Sequence, residues 1–292
     1  MNYQLLDCGD FYKIERFGSY TLARPEPQAL WAMKKPLDTW RKEVDAFYER
    51  KKEEIKSNKE DSGNWILNTK FPDKWELSLG KFLDKEISVK LALTSFKHVG
   101  LFPEQFDNWN FICQHSRENT LSGNMLNLFA YTGVASLAGS IAGYKVTHVD
   151  AVKQVINWAN ENRELSHIEA NISWVVEDAI KYLHREIKRN KKYTAILLDP
   201  PAYGRGPNGE KWVLEKELFH LLNLCKEVLE EKNSFLIINL YSLNITPMLL
   251  ESILKEAELW SDKSHCMEQY IPYGQDKKLP LGVCGRVVFA ND

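Results

Sequence analysis

The sequence predicts an α/β fold, and three observations support that class. From residue 124 onward, short apolar runs alternate with longer stretches of helical pattern. The apolar run that ends at Phe129 leads into a Thr-Gly turn at 132–133 and then a helix-like segment. A second apolar run, 193–198, ends in Asp-Pro-Pro at 199–201. Strands that alternate with helices form βαβ units around a parallel sheet buried on both faces, so both run ends are expected at one rim.

The regular part of the chain predicts seven strands. The last two lie close together in sequence without an intervening helix, so we expect an antiparallel hairpin at the C-terminal edge. The expected strands are 124–129, 145–149, 172–176, 193–198, 234–240, near 264–271 and near 283–290, and the expected helices are 134–142, 151–166, 178–189, 214–231 and 247–259.

Residues 1–100 predict a smaller N-terminal α+β domain, and residues 101–292 the larger domain. Short alternating or apolar runs separated by Gly-containing turns indicate strands in the first part. Helix formers and many charged residues over 37–57 predict one helix there. Its apolar stripe would consist of Trp40, Val44, Phe47 and Ile55.

The composition is that of an ordinary globular protein, with 44% hydrophobic and 27% charged residues. The net charge is −2, so a polyanionic partner would have to be held by a local basic patch. None of the five cysteines forms a CxxC pair, which favours a reduced, intracellular protein. No apolar run approaches the ~18 residues of a membrane span, so we expect a cytoplasmic location without membrane contact. No cluster has metal-ligand spacing, so no metal is predicted.

Acidic residues follow the predicted strands and indicate the ligand. A dinucleotide site would need glycines in the first turn, but Phe129 and Tyr131 stand there. Carboxylates at the next three strand ends disfavour a pyrophosphate and suit a ligand with hydroxyls, an amino group and a sulfonium cation, which describes S-adenosylmethionine. Asp150 could accept both ribose hydroxyls, and Asp178 the adenine amine.

Simpler interpretations exist for each of these residues. Asp150 and Asp178 precede helices and could be N-caps, each contributing ~1 kcal/mol. The Asp-Pro-Pro segment could be a plain helix start, because proline suits the first turn. Tyr203 could stack on a base and Arg205 could bind a phosphate. It is equally plausible that both residues belong to an ordinary surface loop without such a role. Acids or turns at four successive strand ends together favour the ligand interpretation.

Several motifs resemble a known family. The sequence is similar to class I S-adenosylmethionine-dependent methyltransferases, in the branch of the bacterial 23S rRNA cytosine-C5 and guanine-N7 enzymes. The motifs are Leu-Asn-Leu-Phe-Ala-Tyr-Thr-Gly (126–133), Val-Asp (149–150), Glu-Asp-Ala (177–179) and Asp-Pro-Pro-Ala-Tyr-Gly-Arg-Gly (199–206), and segments 24–31 and 97–105 also resemble that branch.

The resemblance implies a Rossmann-like methyltransferase sheet of order 3-2-1-4-5-7-6 and a set of site residues. The methionine part of the cofactor would lie over 129–133, the ribose on Asp150 and the adenine at 178–179. The cofactor-binding residues expected are Phe129, Ala130, Tyr131, Thr132, Gly133, Asp150, Ala151, Glu177, Asp178, Ala179 and Asp199, and the catalytic residues expected are Asp199, Pro200, Pro201 and Tyr203.

One departure from the family bears on the mechanism. Cytosine-C5 methylation needs a cysteine that adds to the ring, and the resembling C5 enzymes carry it after the fifth strand. Leu243 stands at that position here. We therefore expect direct in-line methyl transfer to a nitrogen or oxygen, without a covalent intermediate.

Three functional hypotheses follow. The first is a methyltransferase acting on structured RNA such as rRNA, with the N-terminal part helping to grip the substrate. The second is an enzyme of the same fold that methylates a small molecule or a protein. The third is a non-enzymatic scaffold, which the complete set of acids at the strand ends disfavours. The sequence leaves a homodimer open.

Overall fold

The computed structural model describes residues 1–50, 63–119, 123–169, 171–205, 211–241 and 244–290. The chain forms two compact units, each discontinuous in sequence. The first unit comprises 1–81, 86–104 and 270–281, and the second comprises 82–85, 105–269 and 282–292. The expected domains 1–100 and 101–292 stay a prediction.

The first unit is built mainly on a five-stranded sheet of order β1-β2-β3-β4-β5. Most neighbours in this sheet are antiparallel, but β3 and β4 run parallel. Two further strands, β6 and β7, form a separate sheet. The elements are β1 (Tyr3–Gly9), β2 (Tyr12–Phe17), β3 (Tyr20–Pro25), α1 (Leu37–Glu43), β4 (Ala46–Arg50), β5 (Gly63–Leu67), β6 (Trp75–Phe82) and β7 (Lys85–Leu91).

The helix predicted over 37–57 is wrong over 46–50, because α1 ends at Glu43 and β4 follows it, and residues 51–57 lie outside the described residues. Asp45 lies between the two elements, and its carboxylate accepts hydrogen bonds from the backbone N–H and hydroxyl of Thr21 at 2.8 and 2.7 Å. Phe47 is buried in β4 between neighbouring strands. Packing of an aromatic residue in a sheet therefore overrides the helical pattern. Ile55 lies outside the described residues.

In the second unit, strands alternate with helices as predicted, and most observed ends lie within about two residues of the expected ones. A single 3-10 turn, Pro103–Gln105, leads into the first helix. The elements are α2 (Phe106–Asn119), β8 (Asn124–Leu128), α3 (Val134–Ile141), β9 (Lys145–Asp150), α4 (Lys153–Leu165), β10 (Ile172–Val176), α5 (Ala179–Lys188), β11 (Ala195–Leu198), β12 (Tyr203–Arg205), β13 (Lys211–Val213), α6 (Leu214–Val228), β14 (Ser234–Leu240), α7 (Pro247–Glu256), β15 (His265–Tyr273) and β16 (Lys277–Phe289).

The central sheet has seven strands in the order β10-β9-β8-β11-β14-β16-β15. The first five of these run parallel, and β16 is antiparallel to β14. Every residue of β11 and β14 is buried, as expected for central strands covered on both faces. The α/β class and a mixed seven-stranded sheet are therefore confirmed. The carboxyl ends of the parallel strands lie at one edge.

A small ribbon at that edge is not apparent from the sequence. Strands β12 and β13 pair antiparallel, from Tyr203 opposite Val213 to Arg205 opposite Lys211. The ribbon follows the Asp-Pro-Pro segment directly, where the sequence suggested a loop. Within the described ranges, no helix combines the length and apolarity required to cross a bilayer.

Candidate active site

The turn after β8 has an unusual backbone. Phe129 and Tyr131 adopt left-handed φ values of 55° and 50°, and Gly133 follows at 85°. A non-glycine residue in this region costs about 1–3 kcal/mol, and such strain concentrates at binding and catalytic sites. At Gly133 a Cβ atom would lie 2.8 Å from Cβ of Ala159, so the turn also approaches α4 closely. The two aromatic residues thus occupy conformations that glycine would adopt more easily.

A buried chain of polar side chains lies beneath the turn. Asn127 Nδ2 donates to Ser136 Oγ at 2.9 Å, and Ser136 Oγ lies 3.0 Å from His148 Nδ1. Burial lowers the pKa of His148 to about 3, so its imidazole is neutral at pH 7. From α4, Asn162 Nδ2 donates to the carbonyl of Thr132 at 2.9 Å. Asn162 of α4 therefore holds the strained turn through the Thr132 carbonyl.

Asp150, at the end of β9, connects the turn to the next strand. Its Oδ2 accepts from the Tyr131 backbone N–H at 3.0 Å, and its Oδ1 accepts from the Val152 N–H at 2.9 Å. Burial raises the pKa of Asp150, and these two N–H groups oppose that shift. Asp150 is not the N-cap of α4, because Val152 holds that position. A carboxylate has about four acceptor positions, so this one can take further donors such as two hydroxyls.

The acids after β10 have local partners. Asp178 is the N-cap of α5, where its Oδ1 accepts from the Lys181 N–H at 3.0 Å. Glu177 accepts from the Asp178 N–H at 3.1 Å, and its other oxygen lies 3.4 Å from Arg185. The capping interpretation therefore holds for Asp178 and is compatible with a second role. Ala179 is buried, whereas Ala151 is exposed after β9.

The segment after β11 carries the other expected residues. Asp199 is half-buried, Pro200 is buried and Pro201 is exposed. Tyr203, in β12, is 73% exposed, so its ring faces solvent and could meet a large substrate. The side chain of Arg205 and the whole of Gly206 lie outside the described part of the structure.

Trp212 links the turn after β8 to the segment after β11. This role was not predicted from the sequence. Its ring centroid lies 5.4 Å from that of Phe129, and its indole N–H donates to the carbonyl of Pro201. The turn after β8 and the segment after β11 are therefore joined through one side chain. No sequence motif marks Trp212, and the β12–β13 pairing brings it to this position.

A cluster of buried amides beside Asp199 was also missed. Gln105 Nε2 lies 3.4 Å from Asp199 Oδ2 and 3.0 Å from the Tyr241 hydroxyl. Asn108 and Asn239 complete the cluster, and all three amide residues are buried. Asn239 offered one signal, since it interrupts the apolar run of β14 close to its end.

The cysteines and possible metal ligands add no further candidate among the residues that the structure describes. All five cysteines are free thiols. Among the residues that the structure describes, no group of three or more His, Cys, Asp and Glu side chains could hold a metal ion. Leu243, which bears on the expected mechanism, lies outside the described ranges together with Ser242.

Comparison with solved structures identifies the family. The crystal structure of the SAM-dependent methyltransferase from Agrobacterium tumefaciens is 33% identical, with a TM-score of 0.87, over 99% of this chain and 90% of that one. The chain belongs to the S-adenosylmethionine-dependent methyltransferases. No protein-family model matches it.

Curated relatives of the methyltransferase are ribosomal RNA large subunit methyltransferases K/L. The protein from Shewanella frigidimarina is 31% identical over 136 residues, which are 46% of this chain and 18% of that protein. The one from Pseudoalteromonas translucida is 28% identical over 154 residues, covering 51% and 21%. The chain thus spans about a fifth of the length of these relatives.

The rim of the methyltransferase fits the cofactor that defines its family. Asp150 is fixed by two backbone N–H groups and retains acceptor positions suited to ribose hydroxyls. The left-handed turn at 129–133 follows β8 and therefore lies at the same edge of the sheet as Asp150. These features match a ligand with hydroxyls and a charged amino acid end.

Proposed function

We propose that this protein transfers the methyl group of S-adenosylmethionine directly to a nitrogen or oxygen of an RNA, with rRNA as the favoured substrate. The observation that carries the proposal is the pairing of the strained turn at 129–133 with the Asp150 carboxylate. The two are joined by a 3.0 Å hydrogen bond from the Tyr131 N–H. The arrangement costs backbone strain, which a bound ligand explains.

The proposed cofactor site extends along three strand ends. The methionine part contacts 129–133, the ribose hydroxyls bind Asp150, and the adenine lies at 178–179. Ala151 and Glu177 flank the ribose and adenine positions. In chain order, the strands of the sheet are arranged 3-2-1-4-5-7-6, as the resemblance implies, which supports this placement. Ligands of such sheets bind beyond the carboxyl ends of the strands, near the point where strand order reverses.

The protein's main contribution to the reaction is positioning. S-adenosylmethionine supplies an electrophilic methyl group, and orienting the two reactants can be worth about 7–11 kcal/mol of the barrier. Asp199 accepts a hydrogen bond from the target amine or hydroxyl and thereby directs its lone pair. Pro200 and Pro201 restrict the backbone that carries Asp199. The exposed ring of Tyr203 stacks on the target base.

The cysteines support direct transfer. A nucleophilic thiol must be ionised near neutral pH. Burial raises the pKa of Cys284 to about 11 and that of Cys266 to about 12. The pKa of Cys225, which is buried in α6, is raised further by the same cause. With Leu243 in place of the family's nucleophile, none of these thiols supplies a covalent step.

RNA is the proposed substrate because the curated relatives are named rRNA methyltransferases. The first unit would add contacts to a large substrate. Arg205, two residues after Tyr203, would bind an RNA phosphate. Such a local cation is needed because a protein of net charge −2 does not attract RNA by its overall charge. A homodimer stays a prediction that sedimentation can test.

Thermal melting with S-adenosylmethionine tests the cofactor site. Ligand at 100 times its dissociation constant adds about 2.7 kcal/mol of stability. Asp150→Ala should abolish most of this stabilisation. A full shift in the variant would mean that the ribose lies elsewhere, and no shift of the unaltered protein at millimolar ligand would remove the proposal.

Transfer of a tritiated methyl group to total RNA, protein and metabolite fractions tests the substrate. Label in rRNA, reduced strongly by Asp199→Ala, is the expected result. Label confined to the protein or metabolite fraction would show that the substrate is a protein or a small molecule and not RNA. The proposed cofactor site would be unaffected by that result.

A further inference from the structure

The buried amides beside Asp199 form a continuous chain of hydrogen bonds. It begins at Arg286 in β16, whose Nε donates to Asn108 Oδ1 at 2.8 Å. Asn108 Nδ2 then donates to Gln105 Oε1 at 2.9 Å and to Asn239 Oδ1 at 2.8 Å. Gln105 Nε2 reaches the Tyr241 hydroxyl at 3.0 Å and Asp199 Oδ2 at 3.4 Å. The chain thus ends at a residue of the proposed transfer site.

The guanidinium of Arg286 fixes the orientation of the side-chain amides of Asn108 and Gln105. The shape of an amide does not distinguish its oxygen from its nitrogen, but a guanidinium can only donate. The atom of Asn108 that faces Arg286 must therefore be oxygen. Its NH2 group then points to Gln105, whose oxygen must face it. Gln105 is left with its NH2 group toward Asp199.

We infer that Gln105 is a positioning residue for Asp199, and that Arg286 and Asn108 hold its amide with the donor side toward that carboxylate. The inference rests on the proposed role of Asp199. An NH2 donor holds the carboxylate in place, so that it accepts a hydrogen bond from the target in a fixed direction. The 3.4 Å distance is long, and such contacts commonly shorten when substrate binds.

Two substitutions of Asn108 separate orientation from packing. Asn108→Asp retains the shape and adds a charge opposite Arg286, but it turns an acceptor toward Gln105 and Asn239. Both amides must then reverse, and Gln105 presents its oxygen to Asp199. Asn108→Ala leaves only the 3.5 Å contact from Gln269 Nε2 to orient the Gln105 amide, and it also creates a cavity and removes the partner of three buried groups. Cys284→Ser is the matched control, because this buried thiol donates to the same Asn108 oxygen and a hydroxyl can do so too.

If Gln105 positions Asp199, the more stable of the two Asn108 variants should be the one with the slower turnover. Asn108→Asp should be the more stable of the two variants, yet turn over about tenfold more slowly than Asn108→Ala, equivalent to about 1.4 kcal/mol. The dissociation constant of S-adenosylmethionine should stay within about twofold in both, since the amides lie beside Asp199 and not beside Asp150. Cys284→Ser should match the unaltered protein. Turnover that follows melting temperature across the variants would overturn the inference.

A measurement without substrate decides the orientation itself. In the unaltered protein, the side-chain NH2 protons of Gln105 should show a nuclear Overhauser effect to the ring of Tyr241, and Asn108→Asp should abolish it. Retention of that effect in the variant would refute the relay, whatever the turnover. Absence of methyl transfer by the unaltered protein would instead refute the proposed function, and the spectroscopic result would still stand.

Discussion

The two halves of the proposed site are held in place in different ways. The cofactor half, residues 129–133 with Asp150, is fixed by two backbone N–H groups that donate to Asp150 and by Asn162 of the following helix α4, which donates to the Thr132 carbonyl. The target half, residues 199–203, is fixed by the side chain of Gln105, which lies 94 positions away in sequence, and by that of Trp212 in the adjacent strand β13.

This difference indicates what each half can tolerate. The partners of the cofactor half come from the turn itself and from the neighbouring elements β9 and α4, so few substitutions far from them in sequence should disturb it. The target half depends on side chains from several elements, and one substitution in any of them can redirect it.

The largest expected effects come from replacing the carboxylate of each half, one at a time, by an amide. Asp199→Asn should lower turnover by about 100-fold, because it removes the negative charge of the acceptor at the target, and it should reduce the thermal shift with S-adenosylmethionine less than Asp150→Asn does. Asp150→Asn should show the reverse order, with the larger loss in the thermal shift. If each variant lost both properties equally, the division into two halves would be wrong.

Next in size is the close approach within the cofactor half. Gly133→Ala adds left-handed strain and a contact of 2.8 Å to Ala159, so it should cost about 2–4 kcal/mol of unfolding free energy. Gly143, at φ +94° with nothing within 4 Å, is the matched control. Gly143→Ala should cost only the strain, about 1 kcal/mol. Equal losses in urea unfolding would show that the approach to α4 is unimportant.

The buried imidazole beneath the turn predicts a pH dependence. The folded pKa of His148, about 3, lies below its ordinary value of 6.5. Stability from the neutral imidazole is therefore complete above pH 6.5 and is lost as pH falls toward 3, by about 1.4 kcal/mol per pH unit. His148→Asn should reduce the change of the unfolding free energy with pH in this window. An unchanged slope would assign the acid sensitivity to other groups.

The smallest expected effect concerns the link between the halves. Trp212→Phe keeps a ring against Phe129 but removes the donor to the Pro201 carbonyl, so it should cost about 1 kcal/mol. Turnover should fall more than cofactor affinity, because the lost bond anchors the target half. A larger loss of cofactor affinity, measured by calorimetry, would contradict this.

Much of the second unit could be predicted because its signals are local. The strand expected over 234–240 is observed as Ser234–Leu240, since an unbroken apolar run matches a strand buried on both faces. The helix expected over 37–57 failed because Phe47 is buried by strands distant in sequence. The sequence also named Asp150 and Asp199 at the correct strand ends, although their roles stay predictions.

The sequence by itself determined the order of strands and helices and the acids that follow the strands, because hydrophobic periodicity and turn chemistry act between near neighbours. Tertiary structure alone decided which side chains orient those acids. Asn108 meets Asn239 across 131 positions and Arg286 across 178. Such pairings leave no local pattern, since a buried amide is satisfied by whichever partner the folded sheet brings within hydrogen-bonding distance.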